Sequence, residues 1–124
     1  MGKRIVVCDD DPVVGILVHE YLKAHGHDIT VMSSGTTCLA QLEAEIPDIL
    51  ILDLIMPDMT GIDVLRKIRA NPAMAKLPVI MMSANTDTGS MLDGYEVAAD
   101  CYVEKPFDLN KILLALESLG ESST

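Results

Sequence analysis

The sequence predicts a flavodoxin-like (βα)5 fold: a doubly wound five-stranded parallel sheet with helices on both faces. Three observations predict it. Short apolar runs alternate five times with helical patterns. Ile49-Leu50-Ile51-Leu52 is continuously apolar, as strands buried on both faces are. Polar residues able to do chemistry close several of these runs: Asp9 and Asp10, then Asp53, Ser83 and Lys105. In a parallel sheet the carboxyl ends of the strands gather along one edge, where open α/β folds place their sites.

The elements follow in order. The first strand is expected over residues 4–9. The first helix opens near Pro12, a residue suited to a first helical turn, and ends near Gly26. A second strand over 27–32 leads to a helix over 36–45, stopped before Pro47 because the residue ahead of a proline disfavours the helical region. The third strand covers 48–53. Met56-Pro57-Asp58-Met59-Thr60-Gly61 reads as a loop before a helix over 61–70, which ends at Asn71-Pro72. A fourth strand at 77–82, a helix at 87–98, a fifth strand at 101–104 and a helix at 108–119 with Asp108 as N-cap complete the pattern. Right-handed crossovers then place helices on both faces. The helix at 87–98 contains Gly89 and Gly94, and each interior glycine costs about 1 kcal/mol against alanine, so this helix is expected to be frayed.

A chain of 124 residues suggests one domain, here 1–120, followed by a polar tail at 121–124. Aromatic residues make up 3%, so the core is built from Val, Ile, Leu, Met and Ala. The eight methionines are expected as core filler. The formal net charge of -10 argues against direct nucleic-acid binding by this domain and against docking on anionic lipid. Cys8, Cys38 and Cys101 are widely separated and are expected as buried reduced thiols. With no signal peptide or membrane span in the sequence, a cytoplasmic protein is expected.

The charges suggest the chemistry. Two carboxylates about 5 Å apart repel by roughly 3 kcal/mol at an effective dielectric near 20. Three converging acids therefore call for a cation, and oxygen-only ligation suits Mg²⁺ or Mn²⁺. Asp53, mid-chain at the end of the central strand, is the natural nucleophile, forming an aspartyl phosphate. Lys105 would contact one phosphoryl oxygen and the Ser83 hydroxyl another.

Four blocks carry a resemblance: Cys8-Asp9-Asp10-Asp11-Pro12, the segment from Pro47 to Gly61, Pro78-Val79-Ile80-Met81-Met82-Ser83-Ala84, and Tyr102-Val103-Glu104-Lys105-Pro106-Phe107. Together, in order and at the family's spacing, they resemble the receiver domain of two-component response regulators across nearly the whole chain. The resemblance implies that Asp53 is the phosphoacceptor and that Asp9 and Asp10 hold Mg²⁺, with Asp10 the more direct ligand. It implies that the backbone carbonyl of Ile55 completes the metal site. Ser83 and Lys105 would contact the phosphoryl group, and Tyr102 would change rotamer with Ser83. The donor would be a sensor histidine kinase, a histidine phosphotransfer protein or a small acyl phosphate. Such a domain is regulatory, its chemistry confined to transfer onto its own Asp53 and slow dephosphorylation. Ile55 and Asn85 match positions that tune the phosphoryl lifetime, and a bulky apolar Ile55 implies a long one.

Other readings compete. Asp11 fits a helix cap. His19, His25 and His27 show no ligand spacing and suit surface or turn positions. A phosphatase would need an acid two residues after Asp53, where Ile55 stands. A receiver that binds without phosphorylating would not need the full set Asp9, Asp10, Asp53, Ser83 and Lys105. A flavin site would need a Ser/Thr/Gly-rich loop after the first strand, which is missing. On the first helix, Val14, Leu17, Val18, Tyr21 and Leu22 form an apolar stripe. Val13 and Ile16 fall off it beside the acids and are expected to contact the phosphodonor's helix. Ala98 stands where the family usually has glycine, putting the end of the helix at 87–98 in doubt.

Overall fold

In the computed structural model of the chain, residues 2–84, 99–105 and 109–122 are described, without the side chains at 83–84, 104–105 and 120–122. The helix expected over 87–98, Asn85, Ala98, the turn Pro106-Phe107 and the Asp108 cap lie outside the described residues. Within them the elements run β1 (Arg4–Cys8), α1 (Pro12–Ala24), β2 (Asp28–Met32), α2 (Gly35–Ala44), β3 (Ile49–Asp53), α3 (Gly61–Ala70), β4 (Val79–Ala84), β5 (Cys101–Lys105) and α4 (Leu109–Ser122). The last helix runs through Ser122, so the polar tail expected from residue 121 begins inside it.

The five strands are parallel in the order β2-β1-β3-β4-β5. From β1 the chain steps outward to β2, then returns to β3 on the other side. The reversal lies between β1 and β3, and the crevice beyond their carboxyl ends is where this topology places ligands. Register carries the level across the sheet: Cys8 pairs with Leu52, Leu52 with Met81 and Met81 with Tyr102. Asp9 and Asp53 are each one residue further on, at the same height. Ser83 and Glu104 pair one step higher, Ala84 and Lys105 one step higher still.

Side chains alternate along a strand, and two apolar layers result. Val6, Cys8, Leu50, Leu52, Val79 and Met81 pack against Cys38 and Leu42 of α2 and Ile62, Val64, Leu65 and Ile68 of α3. Ile5, Val7, Ile49, Ile51, Ile80, Met82 and Val103 pack against Val18 and Leu22 of α1 and Ile112, Ala115 and Leu116 of α4. Every residue of β3 is buried, as the unbroken apolar run predicts. Met56, Met74, Met81 and Met82 are buried in these layers as core filler.

The helix ends are set by local chemistry. Asp11 accepts a hydrogen bond from the Val13 amide at 2.9 Å and caps α1, with Pro12 in its first turn. At the other end Gly26, at φ 90°, lets the Gly26 and His27 amides turn back onto the Lys23 and Leu22 carbonyls. Ser34 caps α2, and Thr60 with Asp63 forms a capping box on α3. One expectation for α1 is corrected: Leu17 is exposed and Gly15 takes its place on the buried face. The helix lies so close to β2 that a Cβ on Gly15 would stand 3.0 Å from Val31 Cγ1.

Candidate phosphoacceptor and metal site

Asp9 and Asp53 extend β1 and β3 on either side of the topological reversal, and both are buried, at 2% and 5% exposure. Asp10, one residue on, is exposed. One carboxylate oxygen from each of the three lies within 4.8 Å of the others. At that separation a pair of unit charges repels by roughly 3.5 kcal/mol at an effective dielectric of 20, more for the buried pair than for Asp10. Asp9 is held in place from both ends: its amide donates to the Met32 carbonyl and its Oδ1 accepts from the Asp11 amide at 2.9 Å. The acid cluster expected from the sequence is therefore assembled by register alone.

The donor set is oxygen-only. The thiol of Cys8, next in sequence, turns to the opposite layer, donating to the Ser34 carbonyl at 3.3 Å and lying 3.2 Å from Met56 Sδ. Its hydrogen bond with Cys38, then its burial, push it far above the usual thiol range. A hard cation fits the three carboxylates, and among the described residues no sulfur or imidazole belongs to the group.

Beyond Asp53 the chain is tightly fixed. The Leu54 amide donates to the Met82 carbonyl at 2.8 Å, and the Gly61 amide to the Leu54 carbonyl at 2.7 Å. Gly61 is required by this approach, since a Cβ there would stand 2.5 Å from the Asp53 carbonyl oxygen. Ile55 lies on the loop, 46% exposed. Further along, the Asp58 carboxylate crosses to α2 and accepts from the Gly35 amide at 3.0 Å, the Thr36 amide at 2.8 Å and the Thr36 hydroxyl at 2.7 Å. The Thr36 hydroxyl, then the Thr36 and Gly35 amides, hold Asp58 down at about 2.

The remaining candidates fall around this centre. Ser83 and Lys105 occupy the ends of β4 and β5, one and two steps above the Asp53 level. Tyr102 is exposed, and its hydroxyl accepts from the Ala99 amide at 3.1 Å. Val13 and Ile16 are 61% and 63% exposed. Ile16 borders a groove of about 400 Å³ that runs from Asp9 and Asp10 past Gly15 and His19 to Val31. A larger cavity of about 610 Å³, lined by Lys3, Pro47, Met74 and Leu77, lies at the opposite edge of the sheet, away from the acids. His25 hydrogen-bonds locally to the Tyr21 carbonyl, and His27 Nδ1 accepts from the Lys3 amide across 24 positions.

Sequence reasoning missed Asp58, whose partners lie more than twenty residues upstream and leave no local signal. It also missed the Thr60-x-x-Asp63 box, which is a readable pattern. Arg69 was missed too; it donates to the Ala75 and Leu77 carbonyls and to Asp100.

Residues 5–117 match the family model of the response regulator receiver domain. The chain is 40% identical over 107 residues to the DNA-binding response regulator MtrA of Mycolicibacterium smegmatis, covering 86% of this chain and 46% of that protein. It is 35% identical over 116 residues to the probable transcriptional regulatory protein TcrX of Mycobacterium tuberculosis, covering 93% and 48%. The chain thus spans about half the length of these relatives. Among solved structures, a putative response regulator from Chloroflexus aurantiacus superposes with a TM-score of 0.88 at 26% identity, over 95% of this chain and 97% of that one. These relatives overturn the expectation that nucleic acid is excluded. The net charge of -10 describes only the segment it was counted on, and the matched regulator from M. smegmatis is a DNA-binding protein. Among the described residues no helix is long and apolar enough to cross a membrane.

Proposed function

The chain belongs to the response regulator receiver domain family of two-component signalling, and from that premise we propose that it takes a phosphoryl group onto Asp53. The observation that carries this is the convergence of Asp9, Asp10 and Asp53 within 4.8 Å at the reversal of the sheet. Asp53 is the acceptor. Its carboxylate oxygen attacks phosphorus in line, the O–P bond forms as the bond to the donor breaks, and the bonding pair leaves with the donor. With phosphohistidine on a sensor kinase or phosphotransfer protein, that leaving group is imidazole.

Asp9 and Asp10, with Asp53 and the backbone carbonyl of Ile55, would hold Mg²⁺ or Mn²⁺. When bound, the ion offsets charge on both the acids and the phosphoryl oxygens. Ser83 and Lys105 supply a hydroxyl and a cation to the phosphoryl group, consistent with their places at the ends of β4 and β5. Displacement of Ser83 toward it is relayed to Tyr102, a reading supported by its exposed ring, whose hydroxyl accepts from the Ala99 amide. Val13 and Ile16 meet the donor's helix, a reading supported by the exposure of both and by Ile16 lining the acid groove. The likeness to DNA-binding and transcriptional regulators supports control of transcription as the output.

Intact mass after incubation with an acyl phosphate and Mg²⁺ tests the reading. One phosphoryl adduct is expected on the parent and none on Asp53→Asn. An adduct on both, or on neither, refutes it. Alanine at Val13 and Ile16 is expected to slow transfer from a cognate kinase while leaving the acyl phosphate reaction unchanged; equal transfer from the kinase would remove those two residues from the donor interface.

A further inference from the structure

We infer that Asp58 is a positioning residue for the Asp53 site, acting by holding the β3–α3 loop against α2. The inference rests on the metal-assisted phosphoacceptor reading above. The loop has two anchors. At its start, Leu54 is bonded to Met82 and Gly61 through its amide and carbonyl. At residue 58 the carboxylate takes three hydrogen bonds from Gly35 and Thr36, at 3.0, 2.8 and 2.7 Å. Between the anchors stand only Ile55, Met56 and Pro57. Met56 is buried against Cys8 Sγ, and the proline ring restricts its own φ. Ile55 and Pro57 are exposed, with Met56 buried between them. The direction of the Ile55 carbonyl is therefore set by Leu54 on one side and, through two fixed residues, by Asp58 on the other.

The anchor is a charged one. Asp58 meets the first amides of α2, where the helix dipole favours a negative group, and each bond is charge-assisted. Thr36 gives both its amide and its hydroxyl to one carboxylate oxygen, and Gly35 gives its amide to the other. Gly35 admits the loop closely, because a Cβ there would collide with Met59 Cγ and Sδ. A carbonyl that serves as a metal ligand needs this kind of support from outside the ligand set, and loss of such support typically weakens metal binding by ten- to a hundredfold.

The test compares Asp58→Ala, Thr36→Val and their double variant with Ser34→Ala. Ser34 caps the same helix end, its hydroxyl bonded to the amide and hydroxyl of Thr37 instead of to Asp58. Mg²⁺ titration followed by backbone amide resonances gives the affinity, and hydrogen exchange of the metal-free protein reports on residues 54–60. Asp58→Ala is expected to weaken Mg²⁺ binding about tenfold and to speed exchange in the loop. Thr36→Val should do both to a smaller degree, and the double variant should be no worse than Asp58→Ala alone. Ser34→Ala should lower the melting temperature with Mg²⁺ affinity unchanged. Loss of affinity equal to that of Asp58→Ala in Ser34→Ala would make Asp58 a mere helix cap and overturn the inference, as would parent-like exchange and affinity in Asp58→Ala. Should Asp58→Ala not fold, Thr36→Val and Ser34→Ala decide between the same outcomes. A parent protein that fails to bind Mg²⁺ refutes the reading in the previous section instead, and loop exchange alone then decides whether Asp58 holds the loop.

Discussion

Gly61→Ala is expected to damage the site through one methyl group. That methyl would stand 2.5 Å from the Asp53 carbonyl oxygen, 2.9 Å from Met81 Sδ and 3.0 Å from Leu54 Cα. Ordinary contact begins at 3.4 Å, so the closest approach is about 0.9 Å too short. Two of the three obstacles are backbone atoms that no rotamer can move. They are also tied down, by the Leu54 amide on Met82 and by the Gly61 amide on Leu54. Overpacking of this kind costs about 1–3 kcal/mol, and alanine returns up to about 1 kcal/mol of helix propensity, less at a first helical position. A net loss of about 2 kcal/mol should lower the melting temperature by roughly 5–10 °C. Whatever relaxes the clash must displace Asp53 or α3 by most of an ångström, and a misplacement of about 1 Å costs on the order of a hundredfold in rate. Thermal melting and the rate of adduct formation from acyl phosphate measure the two effects. Gly26→Ala is the control. Its φ of 90° makes alanine strained there, yet the site is at the far edge of the sheet and its Cβ would meet nothing within 4 Å. That variant should lose stability and keep its rate. A folded Gly61→Ala with the parent's melting temperature and rate would refute the reasoning.

Asp58→Asn should be less stable than the parent at neutral pH. Because the folded group is held at about 2 against an ordinary 3.8, its contribution is complete above about pH 4 and is lost as pH falls through 2. Denaturant melts across that window should show the gap between the two proteins closing, and a gap that widens on acidification would contradict it. Arg69→Met removes bonds to the Ala75 and Leu77 carbonyls and to Asp100. With both side chains partly exposed, a loss of about 2 kcal/mol is expected in denaturant melts, with phosphorylation unchanged because the latch lies at the edge opposite the acids. In the native protein, a disulfide reagent should reach Cys101 before Cys8 and Cys38. Both of the latter are free thiols and fully buried, and Cys8 is pushed far above the usual thiol range; three equal rates would break that expectation.

The acid site was legible because it depends on two periodicities that sequence displays. Apolar runs mark the strands, and parallel pairing brings their ends level, so Asp9 and Asp53 meet without any long-range knowledge. The same held for Asp11 as a cap and for β3 as a strand buried on both faces. Leu17 was misplaced because hydrophobicity was taken to mark the buried face of α1. The determinant is how near the helix comes to β2, and Gly15 allows an approach that turns Leu17 outward. The acidity of these 124 residues likewise proved no guide to nucleic acid, since the charge was summed over about half the length of the DNA-binding and transcriptional relatives.

What stayed illegible has a common form. Asp58 reaches Thr36 across 22 positions and Arg69 reaches Asp100 across 31; neither distance has a period. Both tie α3 or its entry loop to a neighbouring element. At the entry, Asp58, the Thr60 box and the close packing under Gly61 converge. At the exit, Arg69 joins the last turn to the start of β4 through Asp100, which also accepts from the Val79 amide at 2.8 Å. With α3 fixed at both ends, Asp53 and the loop after it form the rigid wall of the site. The opposite wall is Asp10 and the exposed start of α1, where the described side-chain bonds span two residues each, Asp11 to Asp9 and Val13 to Asp11. Adjustment to an incoming ion or donor should then fall on the α1 side. Comparison of amide exchange with and without Mg²⁺ would show it: protection gained at 10–16 and little change at 61–65 is the expected result, and the reverse pattern would mean that α3 is the part that moves.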